Sequence, residues 1–126
     1  MENLVIKKFK NIFKNKRILI IGNTGFVGSW LSLSLYFFQA KILGLSLKMK
    51  NNNYLSNSKE FQKKIKTIYA DINDFKNFKI KIKRFNPEIV IHLASQPIVK
   101  TGYTNPLETF ETNIFGTIRI LEFLKK

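Results

Sequence analysis

The 126-residue chain predicts an α/β fold, a parallel sheet with helices on both faces, incomplete at four strands in the order 3-2-1-4. Three observations carry that expectation. Four short apolar runs lie at residues 17–21, 41–47, 67–70 and 88–93. Segments with apolar residues at helical spacing follow the first, third and fourth of them. Three glycines, Gly22, Gly25 and Gly28, stand between the first run and its helix.

Residues 1–15 (MENLVIKKFKNIFKN) mix apolar and basic side chains and are expected to form a basic N-terminal arm ahead of a domain spanning residues 16–126. The run RILII is continuous, as in a strand buried on both faces. A helix should follow from Gly25 to Phe38. Val27, Leu31, Leu35 and Phe38 make one apolar stripe on it, and Trp30, Leu33 and Phe37 a second, so it should need cover on two sides. KILGLSL reads as the second strand. Residues 48–58, with Asn51, Asn52 and Asn53 in succession, read as a loop, and residues 59–64 as a helical turn. After the third strand (TIYA), Asp74 is expected to cap a helix carrying Phe75, Phe78, Ile82 and Phe85. Asn86-Pro87 ends that helix, and EIVIHL forms the fourth strand. Asn105, Pro106 and Glu108 then place a cap, a proline at the first helical position and an acid three residues after the cap. The last helix is expected to bury Leu107, Phe110, Ile114, Ile118 and Leu121.

Composition narrows the function. With 44% hydrophobic and 24% charged residues, the chain can bury a core. It has no apolar run of spanning length and no signal-peptide pattern. It also has no cysteine, which excludes disulfides, thiolate metal sites and cysteine nucleophiles and fits a cytoplasmic protein. The net charge of +14 falls mostly on residues 1–17 and 48–84, with residues 85–126 close to neutral. Nearly all of it is lysine, the three arginines being Arg17, Arg84 and Arg119. Readers of bases and phosphates favour the forked guanidinium, so lysine on solvated faces is the expected meaning, with neither nucleic acid nor membrane as partner.

The glycines carry the chemistry. In a strand–turn–helix setting, the first permits the tight turn, the second lets backbone approach a pyrophosphate, and the third allows helix and strand to pack closely. The N–H groups opening the helix then meet the phosphates. This is a Rossmann-type arrangement, and further cofactor contacts belong at the carboxyl ends of the strands. Ser46 occupies the place where an acid often grips the adenosine ribose, so charge there does not separate NAD from NADP. Asp71 and Ile72 could bracket an adenine. His92, the single histidine, is expected to be a packed structural residue, since no other ligands are spaced for zinc.

GNTGFVGSWLSLSL, the acidic stretch DIND at residues 71–74, PEIVIHLASQPIV and YTNPLETFETNIFGT together resemble the extended short-chain dehydrogenase/reductase superfamily. Gly-Ser-Trp-Leu and Gln-Pro make the likeness greatest to the CDP-glucose 4,6-dehydratase family. The resemblance covers residues 13–124 and only the first part of such an enzyme. It implies bound NAD and a lyase acting on a nucleotide sugar, CDP-glucose. Hydride leaves C4 for NAD, water is lost across C5 and C6, and the hydride returns to C6. By the same resemblance, Gly22, Thr24, Gly25, Phe26, Val27 and Gly28 match the pyrophosphate loop, and Asp71 and Ile72 the adenine site. Leu93, Ala94, Ser95 and Gln96 match the segment lining the nicotinamide ribose. Tyr103 lies in a stretch near the substrate, and Asn113 supports the active-site backbone. The superfamily's catalytic Tyr is followed four residues later by Lys. Tyr36, Tyr54, Tyr69 and Tyr103 are followed instead by Ala40, Ser58, Asn73 and Leu107. No catalytic residue is therefore assigned; the Ser or Thr, the Tyr and the Lys that the resemblance implies are expected beyond Lys126. The chain alone is expected to be inactive, with a complementing C-terminal chain or a homodimer as partner. The alternatives are a non-catalytic dinucleotide-binding module and a fragment of another NAD-dependent sugar-nucleotide epimerase or dehydratase.

Overall fold

The computed structural model describes residues 3–48, 54–74, 76 and 78–125. Strands β1 (Arg17–Ile21), β2 (Lys41–Ser46), β3 (Lys66–Tyr69) and β4 (Ile89–His92) form one parallel sheet in the order β3-β2-β1-β4. The class, the parallel sense and the order all match the sequence expectation, with strand ends moved by a single residue.

Alternation along β1 explains its unbroken apolar run. Leu19 and Ile21 join Leu43, Leu45 and Ile68 on one face of the sheet. That face is covered by Phe78 and Ile82 of helix α5 (Lys79–Phe85) and its cap, and by Ile120 of helix α8 (Gly116–Leu124). Ile18 and Ile20 face the other way, toward Leu35 of helix α2 (Phe26–Phe37) and Ala40. Helix α1 (Leu4–Phe13) closes that side through Phe9 and Phe13, whose rings stack with Phe38 at 6.1 and 6.4 Å. Both faces of β1 thus remove side chains worth about 1.5–3 kcal/mol each from water.

The two-sided cover expected for α2 is not what forms. Trp30, Phe37 and Val27 are exposed, and the buried face is Gly28, Ser29, Ser32 and Leu35. Small residues let the helix lie close to the sheet. Their hydroxyls are satisfied within the helix, Ser29 Oγ donating to the Phe26 carbonyl (3.0 Å) and Ser32 Oγ to that of Gly28 (2.7 Å).

Three further expectations change. Residues 54–64 hold two short helices, α3 (Tyr54–Asn57) and α4 (Lys59–Lys64), the latter capped by Ser58 Oγ accepting from Phe61 N (3.1 Å). Asn51, Asn52, Asn53, Phe75 and Lys126 lie outside the described residues. Asp74 does not cap α5, which begins at Lys79 with Phe78 at the cap position; Asp74 N closes a turn over residues 71–74 by donating to the Asp71 carbonyl (2.9 Å). Asn86 ends α5 in the left-handed region at φ 50°.

The third change concerns the C-terminal helical run. Helices α6 (Val99–Thr104) and α7 (Pro106–Phe110) lead into a π-helical segment, Glu111–Phe115, and then α8. Asn105 caps α7 as expected, its Oδ1 accepting from Glu108 N (3.4 Å) and its Nδ2 donating to the Glu108 carboxylate (2.8 Å). However, Leu107, Phe110, Ile114, Ile118 and Leu121 are exposed, and Gly116 and Ile120 are the residues buried. The reason is close approach: a Cβ on Gly116 would stand 2.4 Å from Ile72 Cδ1, so the helix seats against the turn after β3 through its smallest residue. Among the described residues, no helix is long and apolar enough to cross a membrane.

Candidate functional site

The carboxyl ends of the strands open into a cleft of about 1090 Å³. One wall is the glycine turn. Gly22 has φ +88°, and a Cβ there would meet Ala94 N at 2.8 Å and Leu93 C at 2.9 Å, so the residue must be glycine on both counts. Gly28 is required by packing, since its Cβ would fall 2.1 Å from the Gly22 carbonyl oxygen. Gly25 is different. Its Cβ would meet only the Gly22 oxygen, at 3.4 Å, and the rest of its surroundings is open cleft. Gly25 is also the cap residue of α2 and supplies no side-chain acceptor to the first N–H groups of the helix. Free N–H donors at the start of a helix, together with the helix dipole, are able to receive an anion such as a phosphate.

Ten of the candidate residues line this cleft: Gly22, Thr24, Gly25, Phe26, Ser46, Asp71, Ile72, Leu93, Ala94 and Ser95. Ser46 is almost fully buried, and its Oγ accepts a hydrogen bond from Thr24 N (3.1 Å), tying the glycine turn to the end of β2. Asp71 closes a small turn, its carboxylate accepting from Asn73 N (2.8 Å). Ile72 belongs mainly to the core, against Gly116. Val27, Gly28, Gln96, Asn113 and Tyr103 do not line the cleft. Val27 and Tyr103 are exposed on α2 and α6.

Gln96 and Asn113 instead form the frame behind the fourth strand. Asn113, within the π-helical segment, grips the backbone of Gln96 twice, accepting from its N–H (2.7 Å) and donating to its carbonyl (3.1 Å). The Gln96 side chain turns away from the cleft, donating to Thr109 Oγ1 (2.9 Å) and accepting from Ile98 N (2.5 Å). Arg119 ties the same helix to the turn after β3 by bonding Glu111 (3.1 Å) and Asn73 (2.5 Å).

His92 extends this frame. Its Nε2 lies 3.1 Å from Thr117 Oγ1, which donates to the Asn113 carbonyl (2.8 Å), so the histidine must be the donor and its Nδ1 is left unprotonated. That Nδ1 is buried without a hydrogen-bond partner among the described residues, and burial pushes the imidazole below its ordinary pKa near 6.5. Among the described residues, no group of three or more potential ligands could hold a metal. Burial favours the neutral form of the histidine. Because its folded pKa lies below the unfolded value, the unfolded chain takes up the proton first. The contribution is therefore whole above about pH 6.5 and is lost as pH falls below it. Melting temperature is expected to drop as pH falls below about 6.5 in the native chain, and to stay flatter in His92→Gln. Glu88, whose carboxylate accepts from Arg17 N and Lys16 Nζ (both 3.0 Å), is held below its usual 4.5 and acts in a lower pH window.

Several cleft residues carried no motif. Ser56 and Asn57 of α3, Lys48, Glu108, Glu111 and Thr112 also line the cleft. The one available signal was Asn105, whose cap fixed where α7 starts and whose side chain holds the Glu108 carboxylate.

A profile for GDP-mannose 4,6 dehydratase matches residues 19–126. CDP-glucose 4,6-dehydratase of Salmonella typhimurium is 38% identical over 117 residues, covering 93% of this chain and 33% of that protein. A putative UDP-glucose 4-epimerase of Methanocaldococcus jannaschii is 34% identical over 110 residues, covering 86% and 34%. The chain thus spans about a third of the length of the curated relatives it matches. Among solved structures, the epimerase Mth375 of Methanothermobacter thermautotrophicus superposes with a TM-score of 0.83 at 24% identity, over 98% of this chain and 35% of the other. UDP-glucose 4-epimerase of Thermus thermophilus, solved with NAD, gives 0.72 at 24% identity, over 84% and 32%. At that identity the likeness concerns the fold.

Proposed function

The chain belongs to the GDP-mannose 4,6 dehydratase family, and from that premise we propose that its cleft holds NAD as the cofactor of a nucleotide-sugar 4,6-dehydratase, a lyase acting on CDP-glucose. The observation that carries this reading is the open cradle at Gly25, beside an α2 N-terminus with no side-chain cap. A pyrophosphate fits there, with adenosine toward Ser46, Asp71 and Ile72 and the nicotinamide ribose beside Leu93, Ala94 and Ser95. The hydride acceptor for the sugar would be the bound NAD. The protein's own part is to orient it: Gly22 and Ser46 fix the turn, and Asn113 fixes the backbone leaving β4.

None of the four tyrosines has a lysine four residues later. The chain is therefore expected to bind cofactor without turnover. Work on a nucleotide sugar, in polysaccharide biosynthesis in the cytoplasm, would need a complementing C-terminal segment or partner. The outer edge of β4, unpaired among the described residues, and the exposed Leu107, Ile118 and Leu121 suit such cover, whether by that segment or by a second copy. Calorimetric titration with NAD should give saturable binding that changes little with salt. No NAD binding, with steeply salt-dependent binding to polyanions instead, would overturn the reading. Conversion of CDP-glucose should appear only when a segment bearing the Tyr-x-x-x-Lys pair is added.

A further inference from the structure

Asn23, the second residue of the glycine turn, is 0% exposed and is not among the residues lining the cleft. A fully buried amide needs partners or a reason. Its Nδ2 donates to Thr67 Oγ1 (2.8 Å), on β3, so the side chain spans from β1's exit across the whole width of β2. It does so over Gly44, which pairs with Ile20 on one side and Thr67 on the other. A Cβ on Gly44 would lie 2.1 Å from Asn23 Nδ2 and 2.2 Å from its Cγ. Glycine inside a strand weakens it unless something must approach closely, and here the Asn23 amide occupies the vacated space.

We propose that Asn23 is a positioning residue: its amide, seated in the Gly44 socket and tied to Thr67, holds the glycine turn in the shape that receives the pyrophosphate. The neighbouring bonds point the same way. Gly22 N donates to the Leu45 carbonyl (2.7 Å) and Thr24 N to Ser46 Oγ (3.1 Å), so three consecutive residues of the turn are pinned to β2 and β3. Asn23 Oδ1 is buried with no hydrogen-bond partner among the described residues. An orphaned acceptor works against stability, which sets Asn23 apart from a residue kept only to fill the core. A turn fixed before the ligand arrives spares the ordering cost on binding.

The consequence for affinity rests on the NAD reading; the consequence for the turn itself does not. In the 126-residue chain, Asn23→Ala is expected to weaken NAD binding by about tenfold and to speed amide hydrogen exchange in residues 22–28, with β1 exchange unchanged. Gly44→Ala, which evicts the amide, should do at least as much. Combined with Asn23→Ala, the Gly44→Ala change should add little, because nothing remains to evict. Should Gly44→Ala fail to fold, Thr67→Val removes only the acceptor; its loss, about threefold, should vanish in the Asn23→Ala background. Equal penalties for the second change in both backgrounds would overturn the proposal. So would an Asn23→Ala chain whose turn amides stay as protected as in the native chain. If the native chain binds no NAD, the cofactor reading fails, while hydrogen exchange still decides the role of Asn23.

Discussion

Gly28→Val is expected to cost about 3 kcal/mol or more of folding stability. The added Cβ would stand 2.1 Å from the Gly22 carbonyl oxygen and 2.9 Å from Asn23 Cα. Both are backbone atoms of a turn pinned to the sheet, so neither can swing aside as a side-chain end would. Relief requires α2 to lift from β1, which opens the packing of Ile18 and Ile20 against Leu35. A domain of this size has about 5–15 kcal/mol in hand, so the change should move the denaturant midpoint well below that of the native chain. A stability within about 0.5 kcal/mol of native would show that α2 is not seated as closely as described.

Gly25→Val should behave in the opposite way. At Gly25 the backbone sits at φ −67° and ψ 172°, open to any residue, and the nearest atom to an added Cβ is 3.4 Å away. Folding stability should therefore change by less than about 1 kcal/mol. NAD binding should fall by about thirtyfold or more, because the branched side chain would stand over the first N–H groups of α2, where each charge-assisted hydrogen bond is worth about 1.5–3 kcal/mol. Two glycines three residues apart thus separate folding from binding. Native affinity in Gly25→Val would remove the pyrophosphate from this turn.

Much of this fold could be read from the sequence because it is written in local signals. Continuous apolar runs such as RILII mark strands covered on both faces, and glycine spacing marks the turn. The cap at Asn105 was legible for the same reason, since its partners lie three residues on. Burial of the helices was not. In α2 Trp30 and Phe37 face outward while Gly28 and Ser32 are buried, and in α8 Ile118 and Leu121 face outward while Gly116 and Ile120 are buried. An apolar stripe reports how much a face would gain from cover, whereas small residues decide how near the sheet can come. Asp74 misled because a carboxylate before an apolar run suits a turn as well as a cap, and here Asp71 and Asp74 share a turn. In the site, the glycine turn announced itself. The Asn23–Gly44–Thr67 contact joins residues far apart in the chain, and no spacing rule connects them.

The π-helical segment Glu111–Phe115 makes the last helix a phase shifter. A π turn holds more residues than an α turn, so positions counted before it and after it are out of step. One continuous rod can then meet two demands of conflicting period. Asn113 reaches sideways to clasp Gln96, while Gly116 still seats against Ile72 and Ile120 joins the core. Read as a uniform helix, the same residues would fall a register out, and either the clasp or the seat would be lost.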